Sequence, residues 1–460
     1  MRIFLSVLLL SIGFIQACNF PKDFNDLQDS DEKFTSNESR SETNKKGLNK
    51  QSIIDRYVNN YDFDGYILIA EKDEITYQQQ AGKINDKLTE FTPFPVGSIS
   101  KVFTAEVVLN LLNQHNISVK DKITSSGLST QIDEDISFYH LLTHSSGIPD
   151  YYRIDQFANV RDMKMRPDDF VSWVNQFPLD FKPGTSTSYS NSGYNLLAKL
   201  ASELNNQSYG DLITDMISTP NNLESLRSID NSQREEILQG FSPGPAPEYL
   251  RAPNDLHYSW LLGSGSICAS AYDLLKWSQI IKNRLKENKE WKPFGWGIRE
   301  YNKSLYLEQS GRIPGYASHL KIFPDQDLII ILLSRIESES INSLGSNLTR
   351  FILGEEVNLP DLRNMITSQK KTLSDYSGTY KFAPDFFLTV FESTDGLEIS
   401  SGKNANRSDS SFLDHLGVDQ FFFRVGNTSI KFKRNSKGKV DGIYWGDSGP
   451  YERVNADIQN

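Results

Sequence analysis

Cysteine is nearly absent from this 460-residue chain, with only Cys18 and Cys268 present. Two thiols cannot build a disulfide framework or a cysteine-based zinc site. Basic residues are in deficit. The 48 Lys and Arg stand against 59 Asp and Glu, and the net charge of −11 disfavours nucleic acid, whose phosphates require a basic face. Long hydrophobic runs are missing too. The longest, residues 3–15, is too short to span a bilayer comfortably as a helix. No Walker loop or dinucleotide fingerprint occurs, so nothing implies a nucleotide cofactor. His140 and His144 have metal-ligand spacing, but Leu141 stands where a His-Glu-x-x-His site needs glutamate. They read as structural histidines near a helix end, and no metal is expected. Cys268, beside a glycine-rich loop, reads as a buried small residue.

What is present begins with the leader. Arg2 precedes the apolar run, which ends Ile15-Gln16-Ala17-Cys18. A charged start and a short apolar stretch are the signature of an export signal. The ending resembles a bacterial lipobox, with Gln16 where a small residue is commoner. Residues 1–18 are therefore expected to be a lipoprotein signal peptide with Cys18 lipidated, giving an exported, envelope-located protein held on a membrane surface. The alternative is an ordinary secretory signal cut nearby. Residues 19–50 hold only five large apolar side chains among Asn, Ser, Asp, Glu and Lys. They cannot bury enough surface to fold alone and are expected to form a flexible tether.

The rest is organised in two parts. Strand patterns occur at 66–70, 75–81, 304–309, 316–323 and 327–334. Helical stripes occur at 98–114, 192–204, 269–286 and 340–353. Strands at both ends of a helical middle predict an α+β domain over 51–358, its antiparallel sheet built from both ends of the segment. Residues 359–372 read as a linker. Short runs at 378–382, 386–392, 396–400, 420–425, 428–434 and 439–445 predict a small all-β barrel or sandwich over 373–456. The charge is uneven. Residues 51–360 hold 28 basic and 39 acidic side chains, whereas residues 361–460 hold 13 of each.

Chemistry is concentrated in three segments. Phe94-Pro95-Val96-Gly97-Ser98-Ile99-Ser100-Lys101 puts Ser98 at the start of the long helix expected at 98–114, with Lys101 one turn on and on the same face. A hydroxyl needs such help to act as a nucleophile, and a helix start offers N–H groups to an oxyanion. Ser-x-x-Lys alone also fits a capping serine with a surface lysine. Tyr189-Ser190-Asn191 follows a Pro-Gly turn and brings a phenol and an amide two residues apart. Gln309-Ser310-Gly311-Arg312 lies between two predicted strands.

Together these segments resemble the serine β-lactamases and penicillin-recognising DD-peptidases, in particular the class C β-lactamase-like branch that also holds esterases and amidohydrolases. The likeness covers roughly residues 52–354 and keeps the family's order. It includes His140-Leu141-Leu142-Thr143-His144-Ser145-Ser146-Gly147-Ile148-Pro149-Asp150-Tyr151 and Gly263-Ser264-Gly265-Ser266. It implies an antiparallel sheet flanked by helices plus a helical subdomain. It implies Ser98 as acylated nucleophile, Lys101 and Tyr189 as proton carriers, and Asn191, Gln309, Ser310 and Gly311 as substrate-binding residues. The Ser98 and Arg312 N–H groups would form the oxyanion hole. The C-terminal part resembles the lipocalin-like β domain appended to such hydrolases, through Tyr376-x-Gly378-x-Tyr380, Gln420–Phe423 and Ile430-Lys431-Phe432.

One position departs from the family. Its third motif begins with Lys or His, which can pair with a substrate carboxylate, whereas Gln309 carries no charge. Arg312 is the nearest residue that could restore one. The expectation is a serine hydrolase acting on small-molecule or peptide esters or amides. The alternatives are a β-lactamase or D-Ala-D-Ala carboxypeptidase, and a non-catalytic peptide- or partner-binding protein on the same fold. Gly446-Asp447-Ser448-Gly449-Pro450 resembles a chymotrypsin-type nucleophile segment, but it closes the small β domain and reads as a turn.

Overall fold

The computed structural model describes residues 48–126, 135–230, 237–245, 250–288, 291, 293–363, 373–383, 386–401, 405, 407 and 410–454. Cys18, the leader, nearly all of the tether and most of the expected linker lie outside these residues.

Helix α1 (Lys50–Asn59) leads into a hairpin of β1 (Gly65–Glu71) and β2 (Glu74–Ala81). Four strands return near the other end of the domain: β8 (Gly297–Tyr301), β9 (Ser304–Ile313), β10 (Tyr316–Phe323) and β11 (Leu328–Ser334). They join in one antiparallel sheet of order β2-β1-β11-β10-β9-β8. The sheet is thus drawn from both ends of the segment. Every residue of β10 and β11 is buried. Both sheet faces are covered, so these strands read as continuous apolar runs instead of alternating ones. Ile67, Ile69, Ile330 and Leu332 pack with α1 and with α9 (Ser340–Ile352) on one face. Leu68, Ile329, Ile331 and Leu333 face the larger core on the other.

That larger core holds the helices of the middle segment. They are α2 (Ser100–Gln114), α3 (Phe138–Leu142), α4 (Pro167–Val174), α5 (Asn191–Asn205), α6 (Tyr209–Ile213), α7 (Leu262–Gly265) and α8 (Ala271–Glu287). Short strands β3 (Phe94–Pro95), β4 (Arg227–Ser228) and β7 (Ile267–Ala269) pair in the order β3-β7-β4, while β5 (Ser242–Pro243) pairs with β6 (Leu250–Arg251). The expected helix 98–114 divides in two. Gly97–Ile99 is a 3-10 turn, and α2 begins at Ser100. In α2 only the last turn is exposed, as the wide apolar stripe predicts. Helix α5 starts where Ser190 caps it, its hydroxyl accepting from Gly193 N at 3.2 Å. Cys268 is buried in β7, and burial pushes its thiol up to about 12.

Eight antiparallel strands over residues 378–454 close into a barrel. The first pairs with the last, Thr379 opposite Val454. The sequence patterning marks six of the eight. Ser411–Gly417 escapes because a charged residue, Asp414, occupies a buried position there, paired with Arg424 at 2.9 Å. Ser448–Val454 escapes because its Ser-Gly-Pro start has turn composition. The barrel touches the α+β domain through specific polar contacts. Arg424 Nη2 donates to the Gly244 carbonyl at 2.7 Å, Ser338 Oγ to the Arg424 carbonyl at 3.0 Å, and Glu339 N to the Val425 carbonyl at 3.0 Å.

Candidate active site

The site is assembled where the Gly97–Ile99 turn meets β9. Gly97 has φ +53°, and a Cβ on it would lie 2.8 Å from Arg312 N. Gly311 is equally constrained. A Cβ there would lie 1.9 Å from the Val96 carbonyl oxygen and 2.8 Å from Ser98 N. Two glycines therefore let the turn and the strand touch backbone to backbone, which no side chain would permit. The contact places Ser98 N beside the residue that precedes Arg312 N.

Ser98 is half-buried, and its hydroxyl meets two partners. Lys101 Nζ donates to Ser98 Oγ at 2.9 Å, and the Tyr189 hydroxyl lies 2.7 Å from the same atom. Lys101 is buried, and its Nζ also donates to Asn191 Oδ1 at 2.8 Å and to the Ser264 carbonyl at 2.9 Å. Three acceptors match the three N–H groups of an ammonium. The Lys101 cation stands 4.8 Å from the centre of the Tyr189 ring. Gln309 is buried and donates from Nε2 to the Ser98 carbonyl at 3.2 Å.

The third motif lies inside a strand and not in a connection. The expected strand 304–309 continues to Ile313 as β9, so alternate residues face opposite ways. Gln309, Gly311 and Ile313 are buried, while Ser310 and Arg312 are half-buried between them. The Ser310 hydroxyl turns to α9, donating to Asn342 Oδ1 at 2.7 Å, with His319 Nδ1 3.3 Å away. The Ser310 side chain is thus engaged within the protein. Arg312 does not restore the charge that Gln309 lacks. Its guanidinium is paired with Glu339 at 3.0 Å and Glu337 at 3.7 Å.

Three further groups belong to this network. His144, read from sequence as structural, stacks on Tyr189 with ring centres 4.6 Å apart and accepts from Ser190 N at 3.1 Å. Burial, reinforced by the Lys101 charge, pushes its pKa down to about 3, so it is a neutral support for the phenol. Asp150 is fully buried against Asn191. Ser264, in α7, supplies the carbonyl under Lys101. The signal for all three was the likeness of the 140–151 and 263–266 segments, which spacing alone did not connect to Ser98.

A serine held by a buried lysine and a tyrosine, on an antiparallel sheet flanked by helices, defines a serine hydrolase of the penicillin-recognising class. Residues 51–341 match the family model described as beta-lactamase, and the chain belongs to that family. It is 25% identical over 328 residues to penicillin-binding protein 4* of Bacillus subtilis (strain 168), covering 63% of this chain and 72% of that protein. It is 26% identical over 204 residues to the D-aminopeptidase of Brucella canis (strain ATCC 23365 / NCTC 10854 / RM-666), covering 44% of this chain and 38% of that protein. Among solved structures, the octameric penicillin-binding protein homologue from Pyrococcus abyssi superposes with a TM-score of 0.57 at 18% identity. The match covers 88% of this chain and 99% of that one. D-amino acid amidase from Ochrobactrum anthropi SV3 gives 0.56 at 18%, covering 66% and 96%. At these identities the structures show the shared fold.

Proposed function

We propose that Ser98 is the nucleophile of an acyl-transfer hydrolase acting on ester and amide substrates that need not carry a carboxylate. The observation that carries this reading is the meeting of Lys101 Nζ and the Tyr189 hydroxyl on one atom, Ser98 Oγ. With all three Lys101 N–H groups directed at acceptors, Lys101 serves as a fixed cation and the Tyr189 oxygen as the proton carrier. Ser98 Oγ attacks the substrate carbonyl and its proton passes to the Tyr189 oxygen. The Lys101 ammonium stabilises the negative charge on that oxygen beforehand. The oxyanion is met by the Ser98 and Arg312 N–H groups. Collapse breaks the bond to the leaving amine or alkoxide, which takes the proton back from Tyr189. Water then attacks the Ser98 ester by the same route, releasing acid and free serine.

The uncharged Gln309 and the neutralised Arg312 disfavour β-lactams and D-Ala-D-Ala peptides, whose carboxylate asks for a free cation. The D-aminopeptidase relatives direct attention to amides of D-amino acids as a substrate class. Envelope location through lipid on Cys18 is part of this proposal, supported by the 3–15 run and the Ala17-Cys18 ending. A non-catalytic binding role is the competing reading.

The deciding experiment labels Ser98 with a fluorophosphonate. Wild type is expected to label and Ser98→Ala not to. A wild type that never labels, and turns over no ester or amide, would leave the binding role. A panel of a p-nitrophenyl ester, a D-amino acid amide, a chromogenic cephalosporin and a D-Ala-D-Ala peptide then ranks the substrates. Dominant turnover of the last two would refute the argument from Gln309. For location, Cys18→Ser is expected to move the protein out of the membrane fraction.

A further inference from the structure

The reaction above gives no task to Asp150, yet this carboxyl is fully buried beside it. The hydrogen bonds described for the Asp150 carboxyl all come from Asn191. Asn191 N donates to Oδ1 at 3.3 Å, and Asn191 Nδ2 lies 3.1 Å from Oδ1 and 3.2 Å from Oδ2. An ionised carboxylate only accepts, so it dictates which end of the Asn191 amide it meets. The NH2 end must face Asp150, and the oxygen end is thereby turned to Lys101 Nζ at 2.8 Å. A flipped amide would set an NH2 group against the ammonium, repelling it from Ser98.

We infer that Asp150 is a positioning residue for acyl transfer: it locks the Asn191 amide so that its oxygen holds Lys101 against the Ser98 hydroxyl. This rests on the reading of Ser98 as nucleophile. Burial raises the Asp150 carboxyl above its ordinary value, and Arg153, the Asn191 hydrogen bonds and Lys101 oppose that rise. Tyr151, which also lies beside it, is a phenol whose own ionisation is suppressed by burial. Asn191 is the first residue of α5, so the carboxylate also sits at the positive end of that helix.

A double-mutant cycle separates this role from a merely structural one. The acylation rate per active site is measured with a saturating p-nitrophenyl ester, sites being counted by fluorophosphonate labelling. Asp150→Asn in the wild-type background is expected to lower the rate roughly ten- to a hundredfold with KM within about threefold. In an Asn191→Ala background, where no amide is left to orient, the same change is expected to cost less than about threefold. Equal losses in both backgrounds overturn the inference, as does a full wild-type rate in Asp150→Asn. Should Asp150→Asn not fold, Asp150→Ser runs through the same cycle with the same outcomes. A wild type that fails to label at Ser98 fails the nucleophile reading instead, before the cycle begins.

Discussion

Adding one methyl group at Gly311 tests the oxyanion geometry directly. In Gly311→Ala the new Cβ would start 1.9 Å from the Val96 carbonyl oxygen, 2.6 Å from Ser318 Oγ and 2.8 Å from Ser98 N. Ser318 can rotate, but its hydroxyl already donates to the Val96 carbonyl at 2.7 Å, and the other two atoms are backbone. Real Cβ atoms essentially never approach within 3.0 Å, so the Gly97–Ile99 turn and β9 must part by more than an ångström. The two N–H groups proposed to meet the oxyanion sit on opposite sides of that seam, one at Ser98 and one at Arg312. Loss of a single oxyanion donor costs about 10²- to 10³-fold in kcat, or about 3–4 kcal/mol, and an ångström of misplacement costs about as much. Overpacking adds about 1–3 kcal/mol of lost stability. Stopped-flow acylation by a p-nitrophenyl ester, with circular dichroism as a control for folding, measures the effect. The expected outcome is a folded protein that binds ester but acylates at least a hundredfold more slowly. A folded Gly311→Ala protein acylating at the wild-type rate would refute the assignment of the oxyanion hole to this seam.

Four other outcomes are expected. Tyr189→Phe should slow acylation by about 10²- to 10⁴-fold with little change in thermal stability, the size of a lost general base; a Tyr189→Phe rate near wild type would move the proton to Lys101. Gln309→Lys should raise cephalosporin turnover relative to p-nitrophenyl ester turnover, since it supplies a cation for the carboxylate, and an unchanged ratio of kcat/KM values would count against that role. Two buried histidines should cost stability on acidification. His144 and His319 are held by burial to about 3, below the ordinary value of 6.5, so their neutral-state stabilisation is complete above about pH 6.5 and is lost as pH falls. Each lost proton-free histidine costs about 1.4 kcal/mol per pH unit, so the pair should remove on the order of 2 kcal/mol between pH 6 and 5, and a urea-denaturation series should show a smaller slope for His319→Gln. Arg424→Met should destabilise by about 3–5 kcal/mol because Asp414 stays buried without its 2.9 Å partner, and adding Asp414→Leu should recover most of that loss in the same assay.

Local pattern carried much of the architecture. Strands β1, β10 and β11 and helices α2, α5, α8 and α9 were legible because apolar periodicity is a property of neighbouring residues. Helix α1, strand β8 and two barrel strands were not. Their patterns are short or interrupted, and the partners that stabilise them are distant in the chain. For the site, Ser98 and Lys101 could be paired from i, i+3 spacing, and Tyr189 and Asn191 joined them only through the family likeness. The role of His144 was hidden because stacking on Tyr189 is a contact across 45 residues of chain.

The sequence by itself determined the fold class, the spacing that puts Lys101 beside Ser98, and the missing charge at Gln309, because each depends on residue type and short-range spacing. Only the tertiary structure decided the direction of each side chain. The register of β9 turned Ser310 toward Asn342 and Arg312 toward Glu337 and Glu339, and it left Gly311 against the Val96 carbonyl. The same long-range packing set Asp150 under Asn191. A charge is written in the sequence, but whether it is free to meet a substrate depends on the partner that folding brings beside it.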